Sequence, residues 1–275
     1  MTFMRGLAAE VDAAQALAAA GGAGTYFAVE PWTEGTGWRP ASLLVTDPAV
    51  LADQVSHARA VIAGRAGIAA AEVSERAAAS IVFLGLASRL VSPSLGAAVL
   101  GGVVPYLTLD NLCWRPVDGG PVPLAVRASG PVTGRDIGDA ASGRQLDDAA
   151  ALLSERCVQG MAEPVAGAFR ALFRLSPLVL RGNIASALAG AAGMLAGSFP
   201  DRAETAGQLT ARILALGPLR GTGELVQPDA SQPRRFLVRR SCCLYYRVPG
   251  GGICGDCVLM PEDIRRQQWL TALRG

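Results

Sequence analysis

Apolar residues recur at three- and four-residue spacing through most of the chain, and this pattern predicts a mainly helical body. The first helix is expected over residues 6–20 and is closed by Gly21-Gly22-Ala23-Gly24. Asp47-Pro48 is a helix start, with Asp47 as cap and Pro48 at the first helical position, and the helix runs to about residue 63. Another helix is expected over 71–90. Ser92-Pro93 repeats the cap-plus-proline signal for a separate helix at 94–100, stopped by Gly101-Gly102. In the second half, helices are expected over 147–161, 164–175, 176–196 and 201–216, with Ser176-Pro177 again marking a start. A last helix at 261–273 carries Glu262 and Asp263 in its first turn and Arg274 at its end, both favourable to the helix dipole.

Extended segments are fewer. Residues 25–32 alternate and read as a strand, with 42–46 as the expected partner. From 103 to 128 the texture turns to Val, Leu, Tyr and Trp broken by Pro and Gly, and Asp118-Gly119-Gly120-Pro121 marks a hairpin. Residues 129–144 are expected to be a polar connector and 217–233 a linker or surface loop. Residues 236–240 form a short strand. The fold class is therefore α+β: a predominantly helical body with small antiparallel β elements and a C-terminal cysteine-rich segment. The expected division is a scaffold over 1–225 and a C-terminal segment over 226–275.

Composition narrows the class. A chain of 275 residues, 51% hydrophobic and 17% charged, is globular and long enough for a real core. A formal net charge of +2 argues against a general nucleic-acid surface, although all 25 basic residues are arginine. The runs 77–109 and 184–199 are apolar enough to raise a membrane span. Arg89 and two prolines interrupt the first, and the second is shorter than the roughly 20 residues a span needs, so both are expected to be buried helices. The N-terminus has Arg5 before an Ala-rich run, but Glu10 and Asp12 interrupt a signal core. A cytoplasmic protein follows as the expectation.

The chemistry concentrates in one place. Four of the six cysteines, Cys242, Cys243, Cys254 and Cys257, fall within sixteen positions: an adjacent pair, ten residues, then Cys-x-x-Cys. Adjacent cysteines do not bond each other without a strained ring, and a reducing compartment disfavours disulfides. Structural zinc prefers two Cys-x-x-Cys knuckles, and here one pair is directly adjacent. A [2Fe–2S] cluster also takes four cysteines and has two centres to serve, which suits thiols that diverge from neighbouring positions. Pro249-Gly250-Gly251-Gly252 and Gly255 let the backbone fold close to a metal. Arg239, Arg240 and Arg247 are either charge compensation for a thiolate-ligated centre or solvated surface. With one histidine and no nucleophile elbow, phosphate loop or carboxylate pair, the chain has little equipment for breaking bonds.

The order Cys-Cys-x10-Cys-x-x-Cys resembles the FhuF-type ferric-siderophore reductases, a family of [2Fe–2S] proteins. Residues 89–93, Cys113-Trp114-Arg115-Pro116 and residues 182–187 are similar to that family as well. The resemblance covers about residues 60–260. It implies that Cys242, Cys243, Cys254 and Cys257 ligate the cluster. It also implies a body that binds a ferric siderophore and an external electron donor, with a flavoprotein or a ferredoxin as the candidate classes. The implied activity is one-electron reduction of ferric siderophores with release of Fe(II). The alternative is a siderophore-binding or interaction protein with a structural zinc or iron–sulfur centre.

Other residues invite a role. Trp114, Arg115, Tyr245 and Tyr246 are candidates to flank a chelate, with core packing as the competing expectation for the tryptophan and a tyrosine. Arg89 in an apolar helix needs a carboxylate or carbonyl partners, and a structural role is favoured. Cys113 and Cys157 are expected to be small buried hydrophobes. Gly182, Gly190 and Gly193 are expected to permit close helix packing, and His57 to be a surface residue.

Overall fold

The computed structural model describes residues 10–127, 130–138 and 142–274. Its helices are α1 (Ala14–Gly21), α2 (Leu43–Thr46), α3 (Pro48–Ala66), α4 (Glu75–Gly101), α5 (Gly143–Leu153), α6 (Glu163–Phe173), α7 (Pro177–Ser198), α8 (Ala203–Leu214) and α9 (Glu262–Ala272). The strands are β1 (Glu10–Asp12), β2 (Glu30–Pro31), β3 (Arg39–Pro40), β4 (Val103–Pro105), β5 (Leu112–Trp114), β6 (Leu124–Val126), β7 (Thr133–Asp136), β8 (Gly223–Val226) and β9 (Phe236–Arg239). The fold is α+β and mainly helical, as the periodicity predicts.

Two helix starts form at the expected caps. The Asp47 carboxylate accepts from Ala49 N–H at 3.0 Å with Pro48 next to it, and the Ser176 hydroxyl accepts from Leu178 N–H at 3.2 Å. At Ser92-Pro93 the outcome differs: α4 runs unbroken from Glu75 to Gly101 with Pro93 inside it. An interior proline costs about 3 kcal/mol and leaves a carbonyl one turn back without its N–H. Burial of Leu90, Val91, Leu95, Ala97 and Val99 against the rest of the core offsets that. Ser92 also turns inward, donating to Ser88 O at 2.6 Å instead of capping a new helix.

Helix α4 packs against α7, α1 and α3, and the ring pair Phe83–Phe169, with centroids 5.3 Å apart, ties it to α6. Helices α4 and α7 are long and apolar enough to cross a membrane, yet 72% and 67% of their most apolar windows are buried inside the protein. They are the two core helices. Helix α7 forms close to the bounds expected, 176–196, and extends two residues further to Ser198.

Several extended segments depart from expectation. Residues 25–32 yield only the two-residue β2, which pairs in parallel with β6, and 42–46 form α2 and its flanks instead of a partner strand. The hairpin around Asp118–Pro121 is present as antiparallel β5 and β6. The expected connector 129–144 contains β7, the central strand of the sheet β1-β7-β4, and the Ser142 cap that starts α5 before residue 147. A π-helix over Ser154–Ala162 joins α5 to α6. The start of the helix expected at 6–20 lies outside the described residues, and Glu10–Asp12 is strand. The expected linker 217–233 contains β8, which pairs with β9 from Gly223↔Arg239 to Val226↔Phe236. A boundary after residue 225 falls inside that hairpin.

Candidate metal centre

Strand β9 feeds the cysteines, and its alternation decides what points inward. Leu237 and Arg239 are buried, Arg239 to 1% exposure. A guanidinium so far from water needs partners on every N–H. Arg239 Nη2 donates to Asn183 Oδ1 at 2.8 Å, Nη1 to Ser186 Oγ at 3.2 Å, and Nε to Ser241 O at 3.0 Å. Asn183, on α7 and fully buried, donates from Nδ2 to Ser80 O at 2.9 Å and to Ser80 Oγ at 3.0 Å. The Ser80 hydroxyl, on α4, donates in turn to Cys243 O at 2.7 Å. Ser186 Oγ donates to Asp256 Oδ2 at 2.5 Å, and Arg239 N–H to Asp256 O at 3.1 Å. The two core helices thus hold both halves of the cysteine segment, Cys243 from one side and the Cys254–Cys257 knuckle from the other.

Gly182 makes this possible. A Cβ there would meet Ser241 Oγ at 2.3 Å and Arg239 Nη2 at 2.7 Å. The space it leaves is filled by the cysteine segment, not by another helix, which corrects the expectation for this glycine. Gly190 has open space around its Cβ position and Gly193 meets only Arg234 at 3.9 Å, so neither serves helix packing. Gly251 is equally constrained, because a Cβ would lie 2.3 Å from Tyr245 O in the turn that brings Cys254 back toward Cys243.

All six cysteines are free thiols. Cys243 and Cys254, eleven residues apart, have sulfurs 3.6 Å apart. Two thiolates on one tetrahedral ion with bonds of about 2.3 Å would be separated by about 3.8 Å, so the pair is close enough to share a metal. Leu244 takes a left-handed conformation, φ +67°, and its N–H points at Cys242 Sγ, 3.3 Å away. Leu259 N–H does the same for Cys257 Sγ at 3.3 Å, and Tyr245 N–H reaches Cys243. Backbone donors of this kind stabilise thiolate ligands and tune a redox centre. Among the described residues no three His, Cys, Asp or Glu side chains gather around one ion-sized point. Four thiols in one short segment, two of them with sulfurs 3.6 Å apart, offer the number of ligands that a [2Fe–2S] cluster takes.

Electrostatics favour a thiolate at Cys243. Donation from the Cys254 thiol, helped by the Tyr245 N–H and the Arg239 charge, lowers its pKa from 9.0 to about 6 against the effect of burial. Cys254, as the donor beside that thiolate, is pushed up. Burial also raises Cys242. The exposed Ile253, Val258 and Leu259 flank the thiols, and Cys242 and Cys254 are themselves half-buried, so the site lies just beneath the surface.

The other candidates take other roles. Trp114 is fully buried in β5 as a core residue. Arg115 pairs with Glu30 at 3.1 Å and lies over Trp38. Tyr246 is exposed and its hydroxyl accepts from Arg247 Nε at 2.9 Å. Arg89, 2% exposed, donates to four backbone carbonyls, those of Val122, Thr25, Tyr26 and Ala28, and is a structural staple between α4 and two loops. Cys113 and Cys157 are buried, the latter pushed up to about 11 by burial. His57 sits on the surface of α3, 3.7 Å from Asp118. Sequence reasoning did not assign Ser80, Asn183, Ser186 or Asp256. A polar side chain inside the apolar runs of α4 and α7 was the available signal for the first three.

Residues 239–259 match the family model of the FhuF 2Fe-2S C-terminal domain. The match supports a [2Fe–2S] cluster as the group this segment holds. No curated protein matches the chain.

Proposed function

We propose that this chain is a cytoplasmic reductase of ferric siderophores, with Cys242, Cys243, Cys254 and Cys257 as the ligands of its [2Fe–2S] cluster. The observation that carries the reading is the thiol arrangement: Cys243 and Cys254 at ligand spacing, and backbone N–H groups aimed at Cys242, Cys243 and Cys257. A [2Fe–2S] cluster supplies one electron at a time, which is what conversion of Fe(III) to Fe(II) in a hard-oxygen chelate requires. The protein residues supply position and charge. Arg239 places a buried positive charge behind the thiolates, and Asn183, Ser80 and Ser186 fix the two cysteine pairs relative to each other. Ile253, Val258 and Leu259 leave the thiols near the surface, where an external flavoprotein or ferredoxin delivers the electron.

Reduction weakens the chelate because siderophore oxygens match ferric iron better than ferrous, and no proton-transfer pair is needed. The helical body binds the chelate and the segment that follows β9 carries the cluster. Six free thiols are in keeping with a reducing compartment.

Anaerobic purification tests the reading. The expected protein is red-brown with about two irons and two sulfides per chain, and Cys254→Ser abolishes ferric-chelate reduction while the helical fold persists. A colourless protein with stoichiometric zinc, or global unfolding of Cys254→Ser, would point to a structural metal instead.

A further inference from the structure

Four thiolates can be shared between two irons in more than one way, and the positions of the sulfurs discriminate between the pairings. Cys243 Sγ and Cys254 Sγ are 3.6 Å apart, within the span of one tetrahedral ion. The chain neighbours Cys242 and Cys243 diverge instead: Cys243 is 3% exposed and Cys242 is half-buried. Each of the two has its own backbone donor, Leu244 N–H at 3.3 Å from Cys242 Sγ and Tyr245 N–H at Cys243. Electrostatic neighbours run round a ring, Cys242 with Cys243 and Cys257, and Cys254 with Cys243 and Cys257. A close edge between Cys243 and Cys254 leaves Cys242 and Cys257 as the edge opposite.

The two edges differ in charge. Leu244 N–H and Leu259 N–H point at Cys242 Sγ and Cys257 Sγ, each at 3.3 Å, and the exposed Arg247 guanidinium acts on Cys242. The Asp256 carboxylate, which accepts from Ser186 Oγ, acts on Cys243 and Cys254. Arg239 acts on Cys242 and Cys243 alike and favours neither edge.

We propose that Cys243 and Cys254 share one iron and Cys242 and Cys257 the other, and that the reducing electron rests on the Cys242–Cys257 iron. The proposal deepens the [2Fe–2S] reading above and rests on it. Donors to sulfur and nearby positive charge stabilise the more negative, reduced state, and a neighbouring carboxylate disfavours it. Two N–H donors and Arg247 favour the first edge, and Asp256 opposes an added electron at the second. The electron destined for a ferric chelate is therefore held at the Arg247 side of the site.

Mössbauer spectra of the reduced, cluster-loaded protein test this, because they resolve one ferric and one ferrous iron. A serine oxygen in place of a cysteine sulfur alters the signal of the iron that carries it. Cys242→Ser and Cys257→Ser are expected to shift the ferrous signal and leave the ferric one, and Cys243→Ser and Cys254→Ser to do the reverse. Where a serine variant loses the cluster, replacing the same cysteine by selenocysteine keeps a soft ligand, and selenium hyperfine coupling gives the same assignment. A ferrous response shared by Cys242 and Cys243, or by Cys242 and Cys254, would overturn the pairing. A ferrous response from Cys243 and Cys254 together would overturn the place of the electron. Each of these results leaves the reductase reading standing, since Fe(II) release is measured separately, whereas a protein that holds zinc and no cluster sinks both.

Discussion

Arg239 and Asn183, 56 residues apart and both buried, are joined by a 2.8 Å hydrogen bond that links the cysteine segment to the core helix α7. Through Asn183 the link continues to Ser80 and the Cys243 carbonyl, so the metal-binding loop is fastened to the most buried part of the protein. Asn183→Leu removes the acceptor for a buried guanidinium and the donor to Ser80. Leaving such groups unpaired costs about 2–4 kcal/mol. Thermal melting and iron content report it together: a lower melting temperature with substoichiometric iron is expected.

Gly182→Ala tests the same junction sterically. Its Cβ would displace Ser241 and Arg239, which are the leading edge of the cysteine loop, while the rest of α7 keeps its packing. Circular dichroism should stay helical and cluster absorbance should fall. Full cluster loading in this variant would mean that the loop does not need its seat on α7.

Arg89→Met makes the opposite prediction. Four backbone carbonyls lose their donor, and the cost is about 3–5 kcal/mol, as for a broken buried network. Arg89 lies nine residues beyond Ser80 along α4, about 13 Å, so the cluster spectrum of the folded fraction is expected to be unchanged. Only chemical denaturation should separate the variant from wild type.

The lowered pKa of Cys243 predicts a titration in the metal-free protein. Its folded value of about 6 lies below the ordinary 9.0, so the thiolate contributes stability that is fully present above about 9 and is lost as pH falls through about 6. Thiolate absorbance should show a midpoint near 6. In Cys254→Ala the donor is gone and the midpoint should move up. An unmoved midpoint would show that the Cys254 thiol is not the cause.

Much of this was legible from residues. Asp47-Pro48 and Ser176-Pro177 start helices because a side-chain oxygen meets an orphan N–H, a local interaction the sequence displays. Ser92-Pro93 carries the same letters and means something else, since the burial of α4 on all sides outweighs the proline's local cost. Strands β7 and β8 escaped notice because each is four residues long and glycine-containing; β7 exists only through partners distant in the chain, such as Val11 opposite Gly134, and β8 lies in a Pro- and Gly-rich stretch that reads as a loop. The cysteines were conspicuous by spacing. Their fastening was not, because Ser80, Asn183 and Ser186 belong to helices more than fifty residues upstream.

A single-turnover assay addresses the central claim most directly. The protein is reduced with dithionite, desalted anaerobically, and mixed with excess ferric siderophore and a chromogenic Fe(II) chelator. The account predicts about one Fe(II) released per reduced cluster, in step with the return of the oxidised cluster spectrum. It also predicts no release from Cys243→Ser or Cys254→Ser. A reduced cluster that persists in the presence of the ferric chelate, with no Fe(II) formed, would contradict it.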